Sequence, residues 1–250
     1  MGILFRQPGI FQSFPQLIAA ESTRHGGVSA PPYQSLNLGK STGDDPDCVV
    51  ENRRRFCAAL GFETGHLAWS KQVHGTESRL VTRPGGAEGF DALLSAERGV
   101  VLAVSVADCT PILIYDSKHK AVAAIHAGWR GTCGAVVGKT LLDMKKHFGT
   151  SGTDCYAYIG TCIDECSFEV GEDVAEAFQP DFKRWDAERQ KFFVDLKKAN
   201  AAQLLDFGVP AAQMEISAFS TVLHNADYYS HRKEHGVTGR MMAVIGIRSF

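Results

Sequence analysis

The chain has 250 residues, of which 44% are hydrophobic and 22% are charged, with 26 Lys and Arg residues against 28 Asp and Glu residues. This composition is typical of a folded globular protein and excludes disorder driven by composition. A net charge of -2 without a long basic run excludes a nucleic-acid polymer as the main partner, because phosphate binding needs a basic face. The longest apolar stretches are far shorter than the roughly 20 residues that cross a bilayer, so no membrane partner is expected.

The cysteine content and the N-terminal residues predict where the protein works. Seven cysteines are an odd number, and no basic segment leads into an apolar block near the N-terminus. These features predict reduced thiols, no export and a cytoplasmic protein. No repeat, low-complexity tract or linker interrupts the chain, which predicts a single domain over residues 1–250.

The first predicted elements are a helix and two buried strands. A helix is predicted over about 46–60, because Asp44 or Asp45 can cap it, Pro46 suits its first position and Gly61 can end it. Two β-branched apolar runs within 99–116 predict strands that are buried on both faces. The polar insert 107–111, which contains a proline, must interrupt these strands.

Helices and strands continue to alternate after residue 116. The sequence predicts strands at 121–129, 155–160 and 241–248, and helices at about 132–148, 171–179 and 194–208. Gly208 is expected to end the last of these helices. The alternation predicts an α/β or α+β fold with a mixed sheet.

Three residues of types that bind metals lie at predicted strand ends or turns. These are His74 in the QVHG segment, Cys109 in the polar insert and His126 near the end of a strand, separated by 35 and 17 residues. No local zinc motif has these separations, but strand ends of one sheet can bring distant residues together. Two histidines and a thiolate would leave one position of a zinc ion open, as in catalytic sites. The adjacent Asp108 is a candidate proton shuttle or orienting residue, or a turn cap.

The same residues allow other interpretations. The histidines can be hydrogen-bonded polar residues, and Cys109 can be a small buried side chain in a redox or scaffold protein. Cys109 can instead be a nucleophile with a histidine as its base, in a metal-free amide hydrolase. Cys162 and Cys166 are spaced to lie on neighbouring helical turns, as a redox pair, a two-ligand clip or structural residues.

Arginines beside glycines are the candidates for binding an anion. Arg130 precedes Gly131 at the start of a predicted helix, so it is the candidate for holding a phosphate. Arg24, Arg232 and Arg240 can reach an anion or serve as structural or solvated arginines. The sequence lacks the G-x-G-x-x-G and P-loop patterns of dinucleotide and triphosphate sites.

Several segments together resemble the bacterial laccase-domain family, whose members are also named polyphenol oxidases and purine nucleoside phosphorylases. These segments are KQVHG, DALLS, VADCTPILIYD, AIHAGWRGT, IGTCIDECSFEVGEDV and SHRKEHGVTGR, within about residues 20–247. The resemblance implies a single-domain layered α/β sandwich with a mixed β-sheet core, in which His74, Cys109 and His126 bind one zinc.

The resemblance also implies the activity. It implies phosphorolysis of adenosine, inosine, guanosine and methylthioadenosine, and deamination of adenosine, with nucleosides and phosphate as partners. Copper-dependent phenol oxidation is the alternative that it offers. The sequence lacks the clustered His-x-His pairs of multicopper sites, which favours nucleoside chemistry with zinc over oxidation with copper.

The sequence departs from the family pattern at three places. Thr161 replaces a proline, Ser220 replaces a cysteine before Thr221, and the family's SYRR element reads Ser230-His231-Arg232-Lys233. The three implied zinc ligands are intact. The departures therefore predict a changed rim of the pocket.

Overall fold

The computed structural model of the protein describes residues 2–249. The helices are α1 (Pro46–Ala59), α2 (Trp129–Cys133), α3 (Val136–Phe148), α4 (Glu172–Ala175) and α5 (Leu196–Asp206). The strands are β1 (Phe5–Arg6), β2 (Leu17–Ser22), β3 (Leu67–Lys71), β4 (Ser78–Leu80), β5 (Gly85–Glu88), β6 (Ala92–Ser95), β7 (Val101–Val106), β8 (Thr110–Asp116), β9 (Ala121–Ala127), β10 (Cys155–Ile159), β11 (Glu169–Val170), β12 (Lys183–Asp186), β13 (Lys191–Val194), β14 (Met214–Ile216) and β15 (Met241–Ile247). Short 3-10 helices lie at Gly9–Phe11, Thr64–His66, Gly152–Asp154, Pro180–Phe182 and Ala211–Gln213.

Most strands belong to two mixed sheets of six strands. The order is β1-β2-β15-β7-β3-β5 in the first sheet and β14-β10-β8-β9-β6-β4 in the second. Strand β7 pairs antiparallel with β15 and parallel with β3, whereas β8 pairs antiparallel with both β9 and β10. A small third sheet has the order β11-β13-β12.

The two large sheets pack face to face, and helices cover their outer faces. Leu102 of β7 and Leu113 of β8 belong to the core between the sheets. The next residues along these strands, Ala103 and Ile114, face outward toward α1 and toward α3 with α5, respectively. Strands buried on both faces need apolar residues at every position, as the sequence predicted. The layers confirm the predicted α/β sandwich with a mixed-sheet core.

The polar insert between the two buried runs connects the two sheets. Strand β7 ends at Val106 in the first sheet, and β8 begins at Thr110 in the second. The predicted interruption is confirmed for residues 107–109, which lie at one end of the sandwich. It does not extend to Thr110 and Pro111, which belong to β8 and pair with β9. Strands β3 and β9 also reach this end, so their following residues gather beside the insert.

The predicted first helix is confirmed at both ends. Asp45 caps α1 by accepting a hydrogen bond from the backbone N–H of Asp47 at 2.9 Å, and Pro46 takes the first helical position. Gly61 follows the helix with a φ of +81°, which glycine adopts without the steric cost of a Cβ atom. Across residues 2–249, the helices are all too short or too polar to cross a membrane.

The helix predicted over about 132–148 is confirmed over α3 and ends as predicted. Its predicted start is wrong, because the chain breaks between α2 and α3. Ala135 has a left-handed backbone with a φ of 61°. The side chain of Gln203 from α5 stabilises the break: it donates to the carbonyl of Thr132 at 2.9 Å and accepts from the N–H groups of Val137 and Gly138, each at 3.2 Å. These bonds satisfy the backbone groups that a continuous helix would have paired.

Candidate metal centre and its cavity

His74, Cys109 and His126 come together at one end of the sandwich. His74 lies three residues after β3, Cys109 lies between β7 and β8, and His126 belongs to β9. Their ligand atoms all lie within 4.8 Å of one another, and the two imidazole rings meet edge to face with centroids 4.9 Å apart. Strand ends thus assemble three residues that are far apart in sequence.

A buried carboxylate, Asp91, holds two of these three residues in place. It accepts hydrogen bonds from the backbone N–H groups of Val73, His74 and Gly75 at 3.2, 2.9 and 2.7 Å. It also accepts one from Nδ1 of His126 at 2.7 Å. Because Nδ1 of His126 donates its proton to Asp91, Nε2 is left as the ligand atom, an arrangement that is common among metal-binding histidines.

This role of Asp91 was not predicted from the sequence. The residue lies directly before the buried run of β6, inside the DALLS segment. A carboxylate that immediately precedes an apolar strand is the signal that could have identified it. Asp91 is 1% exposed, and buried carboxylates are retained where several donors satisfy them.

The charges of the cluster support one another. Burial raises the pKa of the Cys109 thiol, but the neighbouring His126 and His74 outweigh burial and bring this pKa down to about 6. Burial lowers the pKa of His126, but Cys109 and Asp91 raise it to about 9. Cys109 is therefore a thiolate at neutral pH, which is the form that binds metals and acts as a nucleophile.

Gly128 makes the approach of Cys109 and His74 possible. A Cβ atom at this position would lie 3.1 Å from both Sγ of Cys109 and Cδ2 of His74. Those distances are shorter than ordinary van der Waals contacts, so any side chain at position 128 would push the two residues away. The glycine after β9 is thus part of the geometry of the cluster.

The three residues line a cavity of about 450 Å³, a volume typical of small-molecule sites. Its aromatic surface comes from Trp69 and Phe168. Its basic side chains are Lys40, Arg53, Lys71, Arg232 and Arg240. The cavity therefore combines stacking surfaces with positive charge beside the thiolate.

Asp108 lines the cavity next to Cys109 and connects the insert to the segments that contain Thr221 and Arg232. Its carboxylate accepts hydrogen bonds from Oγ1 of Thr221 at 2.5 Å and from the backbone N–H of Arg232 at 2.6 Å. His231 also lines the cavity. Of the three departures from the family pattern, the segment Ser230–Lys233 therefore lies at the cavity and contacts Asp108. Ser220 instead donates to Asp164, and Thr161 contacts the buried carboxylate of Glu21.

The structure does not bring Arg130 or Arg24 to this cavity. Arg130 is exposed and stacks on the ring of Trp129, with its guanidinium carbon 4.3 Å from the ring centroid. Arg24 forms an ion pair with Glu234 at 3.0 Å. Among the arginines considered as anion ligands, Arg232 and Arg240 are the ones that line the cavity.

The expectation that Cys162 and Cys166 lie on neighbouring helical turns is wrong, because residues 161–168 do not form a helix. Cys162 is buried and donates to the carbonyl of Ile163 at 3.2 Å. Cys166 is exposed and donates to Asp164 at 2.5 Å. The two thiols are thus held by different local partners.

The fold and the site together define an α/β sandwich protein with a two-histidine, one-cysteine cluster in a small-molecule cavity. The chain matches the family described as multi-copper polyphenol oxidoreductase laccase over residues 18–248. The chain therefore belongs to that family, which confirms the resemblance found in the sequence.

Relatives extend this similarity over nearly the whole chain. The chain is 40% identical to a purine nucleoside phosphorylase of Bacteroides thetaiotaomicron, with 90% of both chains covered. It is 37% identical to the purine nucleoside phosphorylase YlmD of Geobacillus stearothermophilus, with 94% of this chain and 92% of the relative covered. The crystal structure of that YlmD matches with a TM-score of 0.92 at 34% identity, covering 99% of this chain and 100% of YlmD.

Proposed function

We propose that this protein is a zinc-dependent purine nucleoside phosphorylase. It would release base and ribose 1-phosphate from adenosine, inosine, guanosine and methylthioadenosine, and would also deaminate adenosine. The observation that carries the proposal is the convergence of His74, Cys109 and His126 in a cavity of about 450 Å³. The name purine nucleoside phosphorylase, which relatives 40% and 37% identical carry, supports this choice of substrate.

The donor set fits a zinc ion. Two imidazole nitrogens and a thiolate are ligands that zinc favours, and Asp91 already orients one of the imidazoles. Within residues 2–249, this group contains no fourth His, Cys, Asp or Glu side chain. A catalytic zinc site uses three protein ligands in this way, and zinc held here would supply Lewis acidity to the cavity.

The surrounding residues would bind the nucleoside and move protons. Trp69 and Phe168 present aromatic surfaces on which a purine can stack. In phosphorolysis, a phosphate oxygen bonds to C1′ of the ribose as the bond from C1′ to the base nitrogen breaks, and the base takes up the proton that phosphate gives up. In deamination, a water oxygen bonds to C6 of adenine and ammonia leaves. Asp108, beside Cys109, is the proposed residue for proton transfer in both reactions.

Product analysis tests this proposal directly. We expect adenosine incubated with phosphate to give adenine and ribose 1-phosphate, and adenosine without phosphate to give inosine, as separated by liquid chromatography. Cys109→Ala should lower both rates by at least about a thousandfold, since it removes a residue on which the reaction depends. Cys166→Ala, which alters an exposed thiol outside the cavity, is the matched control and should keep wild-type rates. Formation of neither product by the wild-type protein would contradict the proposal.

Two other functions each have an observation in their favour. The family's description favours copper-dependent phenol oxidation. Against it, the groups of potential metal ligands in residues 2–249 are the His-Cys-His cluster and one group of Asp116, His119 and Asp154, which is poor in histidine for a multicopper centre. Phenol oxidation by the copper-loaded protein that exceeds its nucleoside turnover would favour this alternative.

The low pKa of Cys109 beside His126 favours a thiol hydrolase. Such an enzyme would use Cys109 as a nucleophile and would need no metal. Amide hydrolysis that persists at full rate after chelation, and that Cys109→Ala abolishes, would favour it over the nucleoside enzyme.

A further inference from the structure

Three cationic side chains of the cavity, Lys40, Arg53 and Arg240, lack an acidic partner. Ion pairs elsewhere in residues 2–249 join cations to carboxylates within 4.0 Å, and none of them includes these three residues. Cys109 and Asp108 act on Arg240 through longer-range charge without forming an ion pair within 4.0 Å, and grouped cations without a paired counterion are unfavourable in a partly desolvated site. A bound anion would remove this imbalance.

Arg53 is the most constrained of the three. The residue is 6% exposed, and its Nε donates to the carbonyl of Leu38 at 2.9 Å. Its terminal nitrogens make no hydrogen bond to the rest of residues 2–249, although Arg53 lines the cavity. Burial lowers the pKa of its guanidinium to about 10. The buried guanidinium thus offers unused donors to the cavity.

Lys40 and Arg53 both contact the indole ring of Trp69. Nζ of Lys40 lies 4.2 Å from the centroid of the indole ring, and the guanidinium carbon of Arg53 lies 5.9 Å from it. Desolvation and the charge of Arg53 lower the pKa of Lys40. The two cations are therefore close enough to repel each other, and cation–π contacts with one ring hold both at the cavity.

Asn37 and Gly39 fix Arg240 on the same wall. The buried side chain of Asn37 accepts hydrogen bonds through Oδ1 from the N–H groups of Gly39 and Arg240 at 3.0 and 2.9 Å. A Cβ atom at Gly39 would lie 2.7 Å from Cγ of Arg240, so glycine is needed for this close packing. One terminal nitrogen of Arg240 bonds to the carbonyls of Thr238 and Gly239, each at 2.9 Å. The cationic wall is therefore held in place before a ligand arrives.

We propose that Lys40, Arg53 and Arg240 form a phosphate subsite and that inorganic phosphate is its ligand. A tetrahedral oxyanion can accept charge-assisted hydrogen bonds from several of these donors at once. The inference rests on the proposed phosphorolysis and adds the place of its second substrate, in the same cavity as Cys109. It assigns to these residues the role that the sequence suggested for Arg130.

Equilibrium binding of inorganic phosphate to the purified protein tests the subsite. We expect Lys40→Gln to weaken phosphate binding about tenfold and Arg53→Gln to weaken it more, because the latter removes the most desolvated charge. Arg130→Gln, which removes an exposed arginine outside the cavity, is the matched control and should bind phosphate as the wild type does. Lys40 is exposed at the rim, so its variant tests the proposal even if Arg53→Gln does not fold. Unchanged affinity in Lys40→Gln, or an equal loss in Arg130→Gln, would overturn the subsite.

Two further measurements separate this inference from the proposed function. Phosphate binding that depends on Lys40 in a protein that forms no ribose 1-phosphate would leave the subsite standing and reject phosphorolysis. Phosphorolysis with a KM for phosphate that is unchanged in Lys40→Gln would support the proposed phosphorolysis and reject the subsite. A nucleoside 5′-monophosphate that binds through Lys40 where inorganic phosphate does not would overturn the choice of inorganic phosphate as the ligand.

Discussion

Two aspartate–histidine pairs lie at opposite ends of β9 and differ in what surrounds them. Asp91 bonds to Nδ1 of His126 at 2.7 Å, and Asp116 bonds to Nδ1 of His119 at 2.9 Å. Both aspartates are buried, and the histidine of each pair belongs to a group of three side chains that could hold a metal ion. The hydrogen bond between carboxylate and imidazole is therefore common to both ends of the strand.

The difference lies on the far side of each imidazole. His126 faces the thiolate of Cys109 inside the cavity. His119 instead lies beside Gly149 at the end of α3, where a Cβ atom would be 3.7 Å from its Nε2. Asp116 also accepts from the N–H groups of Lys118 and His119, which closes the turn before β9. An oriented imidazole becomes a candidate catalytic ligand where a thiolate and a cavity meet it, and it stabilises a turn elsewhere.

Substituting each aspartate should give the largest difference between the two pairs, in zinc affinity and in the free energy of unfolding. We expect Asp91→Asn to weaken zinc binding 10- to 100-fold, because it disturbs both His126 and the backbone that carries His74. Asp116→Asn should leave zinc affinity and nucleoside turnover unchanged while lowering the free energy of unfolding by about 1–3 kcal/mol. Competition with a metal buffer and urea unfolding measure these effects. Equal losses of zinc affinity in the two variants would show that the pairs do not differ in the proposed way.

Glycine substitutions beside each pair should give a smaller effect. Gly128→Ala should lower zinc affinity about tenfold, because its methyl group would displace Cys109 and His74 from their contact distance. Gly149 has a φ of 79°, a backbone conformation that disfavours a Cβ atom. Gly149→Ala should therefore lower the free energy of unfolding by about 1–2 kcal/mol without changing turnover. The same two assays distinguish the variants. Full zinc affinity in Gly128→Ala would mean that the cluster tolerates rearrangement.

The smallest expected effect is a pH dependence of stability in the metal-free protein, which arises from the thiolate of Cys109 and the imidazole of His126. Its folded pKa of about 6 lies below the ordinary value of 9.0, and that of His126, about 9, lies above the ordinary value of 6.5. The cysteine's contribution to stability is present above pH 9 and is lost as pH falls through about 6. The histidine's contribution is present below pH 6.5 and is lost as pH rises through about 9. The thiolate–imidazolium pair therefore stabilises the fold most between about pH 6 and 9.

Alkylation of Cys109 by iodoacetamide against pH measures this pair. We expect half-maximal reactivity near pH 6 in the metal-free wild type and an upward shift in His126→Gln, where burial raises the pKa of the thiol and His74 is left to lower it. His119→Gln is the matched control and should leave the midpoint near pH 6. A wild-type midpoint near pH 9 would contradict the proposed charge state of the cluster.

Local signals were enough to predict much of the fold. Asp45, Pro46 and Gly61 defined α1 because caps and helix ends depend on residues close in sequence. Continuous apolar runs predicted β7 and β8 because strands buried on both faces have no polar side. The break before α3 escaped prediction, because the bonds that stabilise it come from Gln203, far along the chain.

In the site, too, the features set by contacts between residues distant in sequence could not be predicted. The three cluster residues could be named because each stands beside a recognisable turn or strand end, whereas Asp91 acts through contacts with residues 16 to 35 positions away. Arg53 lies among Arg54 and Arg55 in a helix, a pattern that indicates a solvated face. Its burial arises from packing against the carbonyl of Leu38, which no local pattern records.

The central claim is that His74, Cys109 and His126 form a zinc centre on which nucleoside turnover depends. Zinc content and turnover measured together on the same preparations test it most directly. We expect one zinc per chain in the wild-type protein and in Asp116→Asn, and loss of both zinc and turnover in Cys109→Ala and His74→Ala. Cys109→Ala protein that keeps one zinc per chain and wild-type nucleoside turnover would contradict it.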